Sequence, residues 1–268
     1  MTTDNFGDRM KAYEAVETER RFLPLLPVYA RIDGRCFSAF TRGMDRPFDK
    51  RMSDAMVATT EWLVDKTHAR IGYTQSDEIS LIWLADRYDS DIFFGGKIHK
   101  IVSVLASMTA AKFAMEVATH LGRPYDERLA AFDCRAFQLP NRAEGANAFL
   151  WREQDATKNA ISMAAQHYYS HKELQNKNGA EMQEMLFAKG INFNDYPDFF
   201  KRGTFVRRVT RQRPFTEAEI QRIPEQHRPA PDTLIERSEI VRLTMPKFST
   251  VTNREAVIFD GGSPESSG

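Results

Sequence analysis

The chain has 268 residues, 42% of them hydrophobic and 28% charged, which suits a folded globular protein with one sizeable core or two small ones and excludes a disordered or collagen-like chain. Its 37 lysines and arginines balance 37 aspartates and glutamates, so no global field draws in nucleic acid and any polyanion must meet a local patch. Two cysteines, Cys36 and Cys134, are too few for a disulfide scaffold or a closed zinc site and fit a reducing, cytoplasmic setting. The opening MTTDNFGDRMK lacks an apolar signal core, and the longest strictly apolar run is far below the roughly 20 residues of a bilayer span. Neither export nor a membrane partner is expected.

In chain order, residues 10–21 predict a short amphipathic helix carrying Tyr13 and Val16, which stops before Pro24. Residues 28–33 have strand composition and Gly34 breaks the run, so Asp33 is expected at a strand end. A helix over 49–66 follows, capped by Asp49, with Met52, Met56 and Leu63 on one face. Residues 79–84 (ISLIWL) read as a buried strand preceded by a polar turn over 74–78, which places Asp77 at its boundary. One long buried helix is expected over 95–121, closed by Gly122 and Pro124, then a strand over 130–139 with Asp133 and Arg135. The second half predicts helices over 155–174 and 180–189, a basic run over 201–213 with six cations and no anion, and a capping box at Thr216 and Glu219. A Pro-rich connector over 223–231 and a disordered tail over 261–268 complete the chain.

Several residues could carry chemistry. Hard cations such as magnesium take one or two carboxylates and complete their shell with water and phosphate oxygens, which Asp33, the Gly34 carbonyl and Asp77 would suit. The competing reading makes Asp33 an Asp-Gly turn residue and Asp77 a cap. Lys97 and Lys100 follow Gly95-Gly96 at a helix start, where cations oppose the helix dipole; a nucleotide triphosphate would compensate them, or they are simply solvated. Arg46 and Lys50 flank Pro47 at another helix start and admit the same two readings. The run over 201–213 suits phosphate contacts or a solvated strand. The six histidines lack metal-ligand spacing, and Cys36 reads as a buried small hydrophobe rather than a nucleophile.

Taken together, Arg31-Ile32-Asp33-Gly34-Arg35-Cys36-Phe37 and Gln75-Ser76-Asp77-Glu78-Ile79-Ser80 resemble the two signature blocks of the tRNA-histidine guanylyltransferase family and its 3′-to-5′ polymerase relatives. Further matches fall in order at Lys97 and Lys100, Phe132-Asp133-Cys134-Arg135, Trp151-Arg152-Glu153-Gln154-Asp155 and Lys201-Arg202-Gly203-Thr204, so the resemblance spans roughly residues 8–206. It implies an α+β fold: a polymerase-palm-like antiparallel sheet flanked by helices over 1–140, and a mostly helical, basic C-terminal extension over 141–260 packed on it. It implies two Mg2+ ions bound by Asp33, Gly34 and Asp77, with Asp33 and Asp77 catalytic. Nucleotide binding is implied for Arg31, Gly34, Arg35, Cys36, Phe37, Arg46, Ser76, Asp77, Glu78, Lys97 and Lys100, and tRNA binding for Asn159, Lys201, Arg202, Arg207 and Arg208. The substrates implied are tRNA, GTP and ATP, and the assembly a homotetramer.

One departure from the pattern bears on specificity. Strict histidine-tRNA enzymes of eukaryotes carry His-Ile-Asn-Asn where this chain reads Thr157-Lys158-Asn159-Ala160. That favours relatives that add template-matched nucleotides to shortened tRNA 5′ ends over strict guanylyltransferases. A palm-type nucleotide cyclase would share the aspartates but have no use for the basic run, and a non-enzymatic RNA-binding module would not need paired metal carboxylates.

Overall fold

The protein is described here by a computed structural model that covers residues 5–230 and 233–267. Its centre is a six-stranded antiparallel sheet formed by β1 (Val28–Arg35), β2 (Ile71–Gln75), β3 (Glu78–Trp83), β4 (Ala131–Gln138), β5 (Thr204–Pro214) and β6 (Leu234–Leu243), in the spatial order β4-β1-β3-β2-β5-β6. β1 and β3 are apolar on both sides where they cross the middle of the molecule, because helices cover both faces. Val28, Ala30, Ile32, Ile79, Leu81 and Trp83 face one layer, whereas Tyr29, Ile71, Tyr73, Ile82 and Phe205 face the other.

The remaining elements are α1 (Phe6–Thr18), α2 (Phe37–Phe40), α3 (Lys50–Thr67), α4 (Ile98–His120), α5 (Arg142–Tyr168), α6 (His171–Leu174), α7 (Gly179–Ala188), α8 (Asp198–Lys201), α9 (Glu217–Gln221) and α10 (Arg254–Phe259), with short 3-10 turns between them. α3 starts where its sequence predicts, since the Asp49 side chain accepts from the Arg51 N–H at 2.9 Å. Its Met52, Met56 and Leu63 are buried beside Ile101, Leu105, Phe113 and Val117 of α4. α4 has the length and mean hydropathy of a bilayer span, and the expectation of a helix buried throughout is corrected: only the stripe of Ile101, Leu105, Thr109, Phe113 and Val117 is buried, while Met115 is exposed. The helix begins three residues later than predicted because Phe94 and Gly95 adopt left-handed backbone, φ 52° and 56°.

Two predicted boundaries are corrected. The polar stretch over 74–78 is not all turn: Thr74 and Gln75 end β2, Glu78 begins β3, and Ser76-Asp77 alone turn the hairpin. The helix expected from 155 starts at Arg142, capped by Asn141, whose side chain accepts from the Glu144 N–H at 2.8 Å. A Cβ on Gly145 would stand 2.7 Å from the Phe259 ring, so glycine there permits the close approach of α10.

The C-terminal extension is helical as expected but also supplies β5 and β6, the two longest strands, and these join the same sheet. Its Phe149, Phe205 and Phe248 share one apolar cluster with Tyr29 and Tyr73. The capping box at Thr216 and Glu219 forms at the start of α9. Pro231, in the expected connector, and Gly268, at the end of the expected disordered tail, lie outside the described residues. The rest of that tail is ordered: the Thr252 N–H donates to the Glu265 carbonyl at 2.8 Å and the Ser267 N–H to the Thr250 carbonyl at 3.1 Å. Asn253 clamps it from the side by bonding the Ser263 carbonyl and the Glu265 N–H, which a composition of Gly, Ser and Pro does not reveal.

β5 is held against β2 at Gly203, which has φ +79° and where a Cβ would lie 2.6 Å from the Thr74 carbonyl oxygen. Gly203→Ala should therefore lose about 2–4 kcal/mol through left-handed strain and overpacking, read as a lowered midpoint in urea unfolding. An unchanged midpoint would show that the approach is not tight.

Candidate active site

Asp33 lies inside β1, not at its end, and pairs across the ladder with Glu78 of β3 and Asp133 of β4. Asp77 occupies the tip of the β2–β3 hairpin, which is tied to β1 where the Gly34 N–H donates to the Asp77 carbonyl at 3.1 Å. Only glycine fits at 34, because a Cβ there would sit 2.3 Å from the Phe37 ring. That ring is fixed by Phe40, Phe113 and Phe132 at centroid distances of 5.0, 5.6 and 5.2 Å. The Asp-Gly pair is thus a half-buried joint between strand and hairpin, and the simple turn reading does not hold.

The Asp77 carboxyl is pushed above the usual carboxylate range, chiefly by burial and further by the Asp33 charge, while its own backbone N–H and the Ser76 hydroxyl at 3.1 Å pull it back. Neither Asp33 nor Asp77 has a lysine or arginine ion-pair partner among the described residues. Two hard oxygen donors that repel each other and lack a counter-charge fit a divalent cation such as magnesium. No three His, Cys, Asp or Glu side chains converge among the described residues, so any shell built here would be completed by water or phosphate oxygens.

Glu78, next in sequence, has its own counter-charge. Arg152 of α5 grips it with two prongs, Nε to Oε1 at 2.6 Å and Nη2 to Oε2 at 2.8 Å, and also bonds Asp155 at 3.0 Å. Burial raises the Glu78 carboxyl and the Arg152 charge opposes that rise; the forked geometry is that of a carboxylate with a guanidinium. Arg31 stands farther off, 3.9 Å from Glu78, with its guanidinium carbon 5.4 Å from the half-exposed Trp151 ring.

Two clefts meet at the hairpin. The first is lined by Asp33, Asp77, Glu78, Arg152 and Asn159. The second lies on the other side of the turn and includes Phe37, Arg46, Phe48 and Phe200. Gln75, Ser76, Asp77 and Met163 form a wall common to both. Arg46 and Asn159 are therefore brought to the aspartates, although 113 positions separate them in the chain. Lys50 is not free, being paired with Asp54 at 2.6 Å. Arg35 and Cys36 are exposed just past Asp33; the expectation of a buried Cys36 is corrected, because it is the left-handed residue, φ 55°, that turns the chain into α2.

Lys97 and Lys100, expected to bind nucleotide, and Arg207 and Arg208, expected to bind tRNA, are not brought there, whereas Lys201 and Arg202 adjoin the first cleft through carbonyls that accept from Thr157 and Tyr73. Lys97 and Lys100 start α4 beside Phe93, which stacks on Trp83, at the opposite end of β1 and β3, about 16 Å along the strands. Lys97 is compensated by Glu19 at 2.8 Å and Lys100 lies over the Phe94 ring. Lys201 and Arg202 are both engaged by Asp198. Arg207 bonds the Gly262 carbonyl and Arg208 the Asp65 side chain. Sequence reasoning left Arg152, Gln75 and Met163 unassigned; the signal available for Arg152 was a charged residue on the apolar face of a helix.

A family profile described as "Thg1: tRNAHis guanylyltransferase" matches residues 7–140. The chain belongs to this family. The chain is 30% identical over 224 residues to the uncharacterized protein R259 of Acanthamoeba polyphaga mimivirus, covering 75% of this chain and 76% of that one. To the tRNA(His) guanylyltransferase of Schizosaccharomyces pombe it is 28% identical over 214 residues, 73% of this chain and 77% of the other. Among solved structures, a bacterial Thg1-like protein in complex with ATP superimposes with TM-score 0.71 at 41% identity, over 76% of this chain and 88% of that one. A bacterial Thg1-like protein in complex with GTP gives 0.70 at 34% identity over 92% and 94%. As a Thg1-family protein, the chain is a nucleotidyltransferase with the antiparallel, palm-like sheet of that family.

The Glu78–Arg152 pair generates a stability prediction. Arg152→Met should cost about 3–5 kcal/mol by stranding a buried carboxylate, whereas Arg152→Met combined with Glu78→Gln should recover much of that loss in thermal unfolding. Without Arg152 the folded-state pKa of Glu78 rises farther above its unfolded value, so the folded protein binds the extra proton and the deficit shrinks in mildly acidic buffer. A deficit independent of pH would contradict the assignment.

Proposed function

We propose that this Thg1-family protein is a 3′-to-5′ nucleotidyltransferase acting on tRNA 5′ ends, which activates a 5′-monophosphate with ATP or GTP and then adds GTP or a nucleotide paired with the facing base. The observation that carries this reading is the pair of clefts sharing Asp77: the reaction needs two nucleotide positions around one set of carboxylates. Complexes of bacterial Thg1-like proteins with ATP and with GTP support it.

In the first step an oxygen of the 5′-phosphate attacks the α-phosphorus of the triphosphate and pyrophosphate leaves. In the second, the 3′-hydroxyl of the incoming nucleotide attacks the activated 5′-phosphorus and the nucleoside monophosphate leaves. Magnesium ions bound by Asp33, Asp77 and the Gly34 carbonyl would supply charge neutralisation on the phosphoryl oxygens and acidify the attacking hydroxyl. The chain's own residues position: the Gly34–Asp77 joint fixes the carboxylate separation, Ser76 orients Asp77, and the forked Arg152–Glu78 pair keeps Glu78 from adding a third uncompensated charge. Arg46 offers a cation to phosphates in the second cleft. A homotetramer is proposed from the resemblance.

Selectivity follows from the wall of the first cleft. Thr157 spends its hydroxyl on the Lys201 carbonyl at 3.0 Å, and Ala160 is fully buried in the helical lobe. Neither residue lines the first cleft, where α5 presents Asn159, Ser162 and Gln166 in their stead, and Watson–Crick pairing with the facing base would discriminate among nucleotides.

Asp33→Ala or Asp77→Ala should abolish magnesium-dependent incorporation of labelled GTP into 5′-monophosphorylated tRNA while leaving the circular dichroism spectrum unchanged; near wild-type transfer by either variant would sink the assignment. On tRNAs lacking one 5′ nucleotide, offered each of the four triphosphates, initial rates should follow the base facing the gap for several tRNA identities. A product restricted to one G on histidine tRNA, opposite any base, would refute template matching.

A further inference from the structure

A cleft of about 850 Å3 opens at the end of the sheet away from Asp33 and Asp77. It exists because β2 starts only at Ile71 while β5 runs on beyond it. Arg207 and Arg208 line it from β5, together with Arg70, Trp83 and Phe259. Arg207 is only 9% exposed. Its Nη1 donates to the Gly262 carbonyl at 2.7 Å, but its Nε has no hydrogen-bond partner, and no carboxylate pairs with it among the described residues. Arg208, on the opposite face of the strand, is held by Asp65 and likewise keeps an unpartnered Nε. The carboxylates around the cleft do not relieve Arg207: Arg70 engages Asp86, Arg142 engages Asp260, and Asp91 is exposed.

We propose that this cleft is a phosphate-binding site built on Arg207, separate from the carboxylate site. A guanidinium cannot shed its proton to escape burial, so beyond the bond to the Gly262 carbonyl its charge stays without a counter-charge until an anion enters. Burial alone draws Arg207 below its ordinary range, with no nearby charge opposing the effect. The planar fork of donors matches phosphate oxygens, and both arginines line the cleft, each with a buried Nε that has no hydrogen-bond partner. The phosphate has two possible sources: free phosphate or pyrophosphate, the latter a product of the first step, and the backbone of bound tRNA. The choice between these sources rests on the proposed function, whereas the anion site itself does not.

The first test needs no catalysis. In buffer with EDTA, so that metal-dependent binding at the aspartates is silent, millimolar inorganic phosphate or pyrophosphate should raise the Tm of the full chain by about 2–4 °C in a saturable way. Arg207→Met should lose this rise and Arg207→Lys should keep part of it. For the RNA source, binding of 5′-monophosphorylated tRNA to wild type and Arg207→Met is compared across salt concentrations, and removal of one phosphate contact should reduce the salt slope by about one. A Tm rise lost in Arg207→Met identifies the free anion, and a reduced slope identifies the backbone phosphate. If wild type shows no saturable rise and the slopes are equal, or if Arg207→Met keeps both responses, the site does not exist. Loss of nucleotidyl transfer in an aspartate variant would leave all of these readouts in place, so the two proposals fail separately.

Discussion

The arrangement depends on holding like charges together. Asp33 and Asp77 face one cleft without a basic partner, in surroundings that already penalise Asp77 for being ionised. Such a pair persists only if the backbone beneath it is over-determined. Here that is done by the bond from the Gly34 N–H to the Asp77 carbonyl, by the antiparallel ladder from Asp33↔Glu78 to Val28↔Trp83, and by the Phe37 ring pressed against Gly34. The two-residue turn at Ser76-Asp77 cannot shift without breaking that register.

Helix α5 carries this constraint to the rest of the molecule. Its first half covers the sheet through Ala146 and Phe149, its middle supplies Arg152 to Glu78, and its second half passes the hairpin and packs with α7 through Ala160, Ala164 and Leu186. The neighbouring Glu153, nearly fully buried, accepts the Phe248 N–H at 2.9 and 3.0 Å and so fastens the C-terminal segment to the same helix. A single 27-residue helix therefore spans core, the counter-charge of Glu78 and the cleft wall. Its length explains why the cleft contains Asn159 and Met163, which belong to no strand.

The two ends of the sheet have opposite electrostatic character. At one end Asp33 and Asp77 stand without an ion-pair partner while Arg152 is taken up by Glu78; at the other, Arg207 is buried without a carboxylate and Lys97 is satisfied by Glu19. This polarity is invisible in a net charge of zero, because charges are segregated by the direction in which strands run and not by their order in the chain.

Local chemistry fixed much of this protein before any folding was considered. The core strands are readable because helices on both faces demand unbroken apolar runs, α3 because Asp49 suits a helix cap, and the aspartate blocks because their residue types at those positions match a family signature. The placement of Asp33 and Asp77 near each other was legible from those blocks alone. What the sequence could not decide was pairing at long separation. The first turns of α5 go unread until Phe259 is seen against Gly145, and a tail of Gly, Ser and Pro reads as disordered until Asn253 is seen to clamp it. Lys97 and Lys100 look like phosphate ligands for the aspartates until β3 is seen to carry the chain to the far end of the sheet. Arg207 and Arg208 look like a solvent-facing basic run until β5 is laid beside a shorter β2, since burial of a side chain depends on what packs across from it and not on its neighbours in sequence.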